Sequence, residues 1–242
     1  MPITSTLDVS KIRAVSLDLD DTLWPVWPAI GRAEQVLHAW LGQHAPATAT
    51  LFADPAALRA IRQQMDHELP HLRHDLSALR RESIRRALQQ AGDDPELAHP
   101  AFDVFFAERQ RVEFYDDTLA ALARLAARWP LVALSNGNAD VHVVGIGHHF
   151  HAKVGARECG FAKPDARIFQ AAADAAGVPL ESVLHVGDDA AMDVVGALEA
   201  GMQAVWLNRN GLAWEHPLRP QVEVTELTTL CDLLGCAALP KA

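Results

Sequence analysis

Little cysteine, a deficit of basic charge and no long apolar run set the first limits on this chain. Its three cysteines, Cys159, Cys231 and Cys236, form no CxxC pair and cannot all pair with one another. They read as reduced thiols, which excludes a disulfide scaffold and favours the cytoplasm. Lys and Arg number 21 against 31 Asp and Glu, a formal net charge of −10. That deficit argues against a nucleic-acid partner, which needs a concentrated basic face. It leaves room for a small phosphorylated metabolite, because one metal ion and one lysine reverse the potential locally. No window approaches the roughly 20 apolar residues of a membrane span. The N-terminal MPITSTLDVSKIR lacks the apolar core of a signal peptide. With 242 residues, 50% hydrophobic and 21% charged, the composition is that of a globular protein of one large domain or two modest ones.

Apolar runs mark the strands: Ile12 to Leu19, Pro130 to Leu134, Ala152 to Ala156, Ser182 to Val186 and Gln203 to Leu207. Helical patterns separate the later ones. Asp116 to Arg128 carries Leu119, Leu122, Leu125 and Ala126 at helical spacing, with Asp116 or Asp117 as N-cap. Pro164 to Ala176 opens on proline and ends at Gly177, and Ala190 to Ala200 ends at Gly201. Strands alternating with helices predict an α/β fold, a Rossmann-like parallel sheet with helices on both faces. Residues 28 to 114 break the rhythm. They hold no convincing strand and predict helices over Ala29 to His44, Pro55 to Glu68, Leu76 to Ala91 and about Pro95 to Glu113. The expected organisation is a core of residues 1–24 and 115–242 with an all-helical insertion, 25–114.

In a parallel sheet, ligands bind beyond the carboxyl ends of the strands. The first strand ends in AVSLDLDDTLWP, which sets Asp18, Asp20 and Asp21 within four residues. Two carboxylates about 4 Å apart repel by roughly 4 kcal/mol at an effective dielectric near 20, so the cluster needs a positive partner. The next strand ends in Ser135-Asn136-Gly137, Lys163 precedes the Pro164 helix, and the fourth strand ends in Gly187-Asp188-Asp189 with Asp193 beyond. Clustered carboxylates suit a hard dication such as Mg²⁺, which takes one or two carboxylates, waters and a phosphate oxygen. Asp18 and Asp188 are the expected direct ligands, and Asp193 the expected ligand through water or outer partner. Ser135 and the amides of Asn136 and Gly137 can donate to a phosphoryl group. Lys163, just ahead of a helix N-terminus where the dipole favours an anion, would screen Asp18 from it.

These four segments, in this order, resemble the motifs of the haloacid dehalogenase (HAD) superfamily: AVSLDLDDTL for hhhhDxDxT, VALSNG with Ser135, AKPD with Lys163, and VLHVGDDAAMD for GDxxxxD. The helical insertion resembles that family's C1 cap. The resemblance implies that Asp18 is a nucleophile forming an aspartyl-phosphate and that Asp20 is the acid–base group, its backbone carbonyl also on Mg²⁺. Lys163 is implied as the third catalytic residue. Thr22 is implied as phosphate-loop support with Ser135, Asn136 and Gly137. A carboxylate two residues after the nucleophile implies phosphoryl transfer, because a halide leaving group needs no proton. The wording of LDLDDTL, WPLVALSNGNA and VLHVGDDAAMDVVGALEAGMQAVWLN is also similar to the FMN phosphatase-like group, which implies FMN or a riboflavin-pathway phosphate as substrate. A phosphomutase or phosphotransferase of the same superfamily stays open. A phospho-accepting module, from another class, would place its aspartate on a later strand and lack Asp20 and the insertion.

Blander readings stand beside these. Asp21 reads as a solvated loop residue, and Asp189 as an N-cap or a site residue. His148, His149 and His151 have no cysteine pair nearby and make no zinc site. Trp24 and Trp27 read as packing, with stacking on an aromatic substrate as the alternative. His71, Arg73 and His74 read as a solvated helix end or as a substrate-reading segment of the cap.

Overall fold

The structure is a computed structural model that describes residues 6–53 and 55–238. It divides into two compact units, Met1–Pro25 with Glu113–Ala242, and Val26–Val112.

The first unit holds a six-stranded sheet in the order β3-β2-β1-β4-β5-β6. The strands are β1 (Ala14–Leu17), β2 (Leu131–Ser135), β3 (Ala152–Gly155), β4 (Val183–Gly187), β5 (Gln203–Leu207) and β6 (Val222–Val224). Every neighbouring pair is parallel. The central strands β1, β2 and β4 are buried at every position, which is why they read as continuous apolar runs rather than alternating ones. The order makes β1 and β4 the pair at which the winding reverses, the place where such sheets bind ligands beyond the carboxyl ends of their strands. The short β6 falls outside the sequence expectation, since three residues with an exposed Glu223 leave no period to detect.

The helices of this unit are α6 (Thr118–Ala126), α7 (Val141–Val144), α8 (Ala156–Cys159), α9 (Ala166–Ala176), α10 (Gly196–Ala200) and α11 (Leu227–Leu233). The expected helix start at Pro164 is corrected to Ala166. Asp165 is the N-cap and accepts from the Arg167 amide, and Gly177 closes the helix at φ 66°. The expected helix from Ala190 begins as a π-helical turn, Ala190–Val195, before α10. Ile168, Phe169, Ala172 and Ala173 of α9 pack with Val132, Leu134, Val194 and Trp206 in the core on one side of the sheet.

The second unit is all helical: α1 (Val26–His44), α2 (Pro46–Phe52), α3 (Pro55–Glu68), α4 (Leu76–Ala91) and α5 (Ala98–Arg109). Ala29, Ala33, Leu37 and Leu41 recur every fourth residue and form the buried stripe of α1. That stripe meets Ile84 and Leu88 of α4 and Ala101, Phe102 and Phe105 of α5 in a separate core. The Asp75 carboxylate caps α4 at the Ala78 amide, 2.9 Å, and Gly92 ends it at φ 82°. Helix α2 was not expected. It is short and rich in threonine, and a tertiary contact holds it: the Thr48 amide and hydroxyl both donate to Asp93 Oδ2 at 2.7 Å.

Phe169 is fully buried and its ring meets His185 edge-on at 5.3 Å. Phe169→Ala should destabilise the α/β unit by about 3–5 kcal/mol, measured as a lower urea midpoint. A loss under about 1 kcal/mol would mean that the core collapses into the cavity.

Candidate active site

The carboxyl ends of β1 and β4 carry the charged cluster. Asp18 follows β1 directly, and its amide still donates to Val186 O of β4 at 2.9 Å, so the ladder fixes its backbone. Asp188 follows Gly187 at the end of the neighbouring strand. Asp193 projects from the π-helical turn, and one oxygen each of Asp18, Asp188 and Asp193 lie within 4.8 Å of one another.

Lys163 is the positive partner. Its buried ammonium donates to Asp18 Oδ1 at 2.5 Å, Asp193 Oδ1 at 2.6 Å and Leu134 O at 3.0 Å. These three acceptors use all three ammonium protons. Asn136 fixes the lysine's backbone from both sides: its Oδ1 accepts from the Lys163 amide at 2.8 Å and its Nδ2 donates to Lys163 O at 3.0 Å. Lys163 is therefore in direct contact with Asp18, the carboxylate it was expected to screen. At the N-terminus of α9, which follows, the Asp165 carboxylate accepts from the Arg167 amide.

The protonation pattern follows. Burial alone would lower the Lys163 ammonium, but Asp18 and Asp193 outweigh it and hold it above the usual lysine range. Burial would raise Asp193, yet Lys163 and His185 pull it below the carboxylate range. Asp18 goes the other way: burial lifts it well up, Lys163 opposes, and Asp193 and Asp188 reinforce. Asp188 is pushed up to about 7 by burial and then by Asp193. Three carboxylates against one ammonium leave the cluster over-negative, and its donors are hard oxygens. That set fits a divalent cation such as Mg²⁺. Both oxygens of Asp193 already have partners: Lys163 and His185 donate to Oδ1, and the Asp189 amide reaches Oδ2 at 3.1 Å. Asp189 itself caps the turn, accepting from Ala191 and Met192 amides at 2.8 Å.

The loop after β1 brings the remaining residues together. Thr22 is buried and donates to Asp188 Oδ1 at 3.0 Å. Asp21 stands at φ 58° in the left-handed region, which an aspartate tolerates better than most residues, and its amide donates to Trp24 O at 2.7 Å. Trp24 donates from Nε1 to Asp20 Oδ1 at 2.8 Å. It is fully buried, edge-on to Phe114 at 5.8 Å. That burial agrees with the packing reading of Trp24. Ser135 is buried at the end of β2, and its Oγ accepts from the Gly137 amide at 2.9 Å. His71, Arg73 and His74 belong to the helical unit, around the 3₁₀ turn Pro70–Leu72, with His71 and Arg73 exposed.

Sequence reading missed two supports. His185, in the middle of β4, bonds Asp193 Oδ1 at 3.3 Å from Nε2 and Ser16 Oγ at 2.8 Å from Nδ1. Burial lowers its pKa, so the neutral ring donates to Asp193 and accepts from Ser16. The signal was a histidine and a serine inside otherwise apolar strands. The second support is Arg209, which donates to Thr22 O at 3.1 Å and to Asp117 Oδ1 at 3.0 Å, stacked over Tyr115. Asp117, expected as a cap of α6, has no capping bond there and instead accepts from the Leu227 amide at 2.5 Å.

Acidic and basic groups converging on the switch point of a doubly wound sheet mark an α/β enzyme. The chain belongs to the haloacid dehalogenase-like hydrolases, the family matched over residues 12–201. It is 35% identical over 234 residues to 5-amino-6-(5-phospho-D-ribitylamino)uracil phosphatase YigB of Escherichia coli (strain K12), covering 93% of this chain and 98% of that one. It is 40% identical over 151 residues to a phosphoserine phosphatase of Thermus thermophilus, covering 60% of each. Among solved structures, the 2-haloacid dehalogenase from Pseudomonas syringae pv. Tomato DC3000 superposes with a TM-score of 0.86 at 38% identity, covering 93% of this chain and 98% of that one. No helix among the described residues is long and apolar enough to cross a membrane.

The raised Asp188 gives a pH dependence with a definite sign. Its folded-state value of about 7 stands above the ordinary 3.8, so in protein without metal its contribution to stability is full at acid pH and lost as pH rises through about 7. A dication binds the ionised form. MgCl₂ should therefore raise the thermal midpoint more at pH 8 than at pH 6. The apparent Mg²⁺ dissociation constant, by calorimetric titration, should rise by about tenfold or more per pH unit below about 7, since Asp18 is raised as well. Affinity independent of pH would remove Asp188 from the ligand set.

Proposed function

We propose that this hydrolase is a Mg²⁺-dependent phosphatase that cleaves a small phosphomonoester through an aspartyl-phosphate on Asp18. The observation that carries the reading is Asp20, a carboxylate two residues beyond the nucleophile position. It is held at Oδ1 by Trp24 and lies close against Gly137 of the Ser135 loop. Acyl-phosphate formation from an alkyl phosphate expels an alkoxide that needs a proton, whereas displacement of a halide does not.

In this reading Lys163 holds Asp18 Oδ1, and the other carboxylate oxygen attacks phosphorus. The Asp18–phosphorus bond forms, the bond to the leaving oxygen breaks, and Asp20 gives its proton to that oxygen. The alcohol departs, and Asp20 takes a proton from the water whose oxygen bonds phosphorus as the Asp18–phosphorus bond breaks. Phosphate and an alcohol are the products. Bound Mg²⁺, held by Asp18, Asp188 and the Asp20 carbonyl, with Asp193 behind, would keep the carboxylates ionised and draw charge from the phosphoryl oxygens. Ser135, the Asn136 and Gly137 amides and Thr22 serve the phosphoryl group and its loop. The helical unit, 26–112, serves as a cap, with His71, Arg73 and His74 as its substrate-reading candidates. FMN or a ribityl phosphate of riboflavin synthesis is the substrate class, supported by the Escherichia coli relative's 93% coverage of this chain. Free Cys159, Cys231 and Cys236 support a cytoplasmic setting.

Phosphate release is the test, from FMN, ribityl, sugar and nucleoside phosphates, with chloride release from 2-chloropropionate alongside. Activity should need Mg²⁺, disappear with EDTA and fall to background in Asp18→Asn, while Asp20→Asn loses roughly 10²–10⁴-fold. Chloride release without phosphate release would replace the phosphatase by a dehalogenase. Phosphate appearing on an added sugar in place of free phosphate would make it a transferase.

A further inference from the structure

We infer that Trp24 is a positioning residue for Asp20 that holds its carboxylate in one orientation, an inference that rests on the phosphatase reading. An aspartate side chain has free torsions about two bonds, and an acid–base group must be fixed in both to meet the leaving oxygen. The structure fixes this carboxylate at both ends. Trp24 Nε1 meets Oδ1 at 2.8 Å. Oδ2 lies so close over the Gly137 backbone that a Cβ at that glycine would stand 2.5 Å from it and 3.2 Å from Ser135 Oγ.

Trp24 is itself immobile. Its ring is fully buried against Phe114, and its carbonyl takes the Asp21 amide at 2.7 Å. Next to it, Leu23 O takes the Tyr115 amide at 3.1 Å and the Thr118 hydroxyl at 2.8 Å. The indole is therefore a rigid arm from the floor of the unit to Asp20. An indole N–H donates and never accepts. The indole N–H thus orients the carboxylate through Oδ1, with Oδ2 beside the Ser135–Gly137 loop.

A leaving group that needs protonation exposes this role, and one that does not hides it. The probes are a primary alkyl phosphate that the wild type hydrolyses and p-nitrophenyl phosphate, whose phenolate leaves unprotonated. Trp24→Phe should lower kcat for the alkyl ester roughly 10–100-fold, part of the 10²–10⁴ of general acid catalysis. KM should be unchanged, and kcat for the aryl ester should change less than about threefold. In an Asp20→Asn background the same substitution should add less than about twofold, since it acts through Asp20. If Trp24→Phe does not fold, replacement of Trp24 by benzothienylalanine keeps the shape and removes only the N–H. Equal losses on both esters, or no loss on the alkyl ester, would reduce Trp24 to packing. A wild type inactive on every phosphate would instead overturn the phosphatase reading, and this inference with it.

Discussion

The Lys163 ammonium is the interaction on which the site depends. A buried cation with all three protons given to Asp18, Asp193 and Leu134 is tolerable because its partners are charged and well aligned, and those partners are tolerable because of it. It also ties three segments that sequence keeps far apart: the end of β1, the carboxyl end of β2 and the turn after β4. Asn136 locks the lysine's backbone from the β2 side. Gly187 admits Asp193 at the end of β4, where any Cβ would stand 2.3 Å from the Asp193 carboxyl carbon. The cluster is thus built by fold geometry as much as by charge.

Each carboxylate has its own support. His185 and Ser16, opposite each other on β4 and β1, stand behind Asp193. Thr22 holds Asp188, and Arg209 holds the Thr22 carbonyl. Trp24 holds Asp20. Asp18 is buried and held by Lys163, and burial, reinforced by Asp193 and Asp188, lifts it well above the usual carboxylate range. That residual imbalance is the physical reason a dication suits this site.

Three of the four motif segments were legible because strand ends in a parallel sheet carry the chemistry and each follows a continuous apolar run, whereas Lys163 stands in the loop between α8 and α9. The long helices were legible from stripes such as Ala33, Leu37 and Leu41 of α1. What stayed hidden depends on distance in space. Helix α2 is held by Asp93, 45 residues on from Thr48, and β6 exists only by pairing with β5. Arg209 reaches Thr22 across 187 residues, and nothing local marks it. The role of Trp24 was hidden differently: an aromatic near a catalytic loop suggests stacking, and only burial together with the direction of its N–H shows that it faces a carboxylate.

Global likeness and reaction chemistry are separate properties here. A TM-score of 0.86 to a structure named as a dehalogenase measures the path of the backbone, which serves halide and phosphoryl displacement equally: both need a buried aspartate attacking in line. The difference is one proton. In the phosphatase reading, Asp20 supplies it, and the constraint falls on residues that a backbone comparison weighs no more than any others, an indole on one oxygen and a glycine beneath the second. Halide displacement has no use for a carboxylate fixed in this way. The orientation of Asp20 therefore bears on the reaction more directly than the resemblance of the fold.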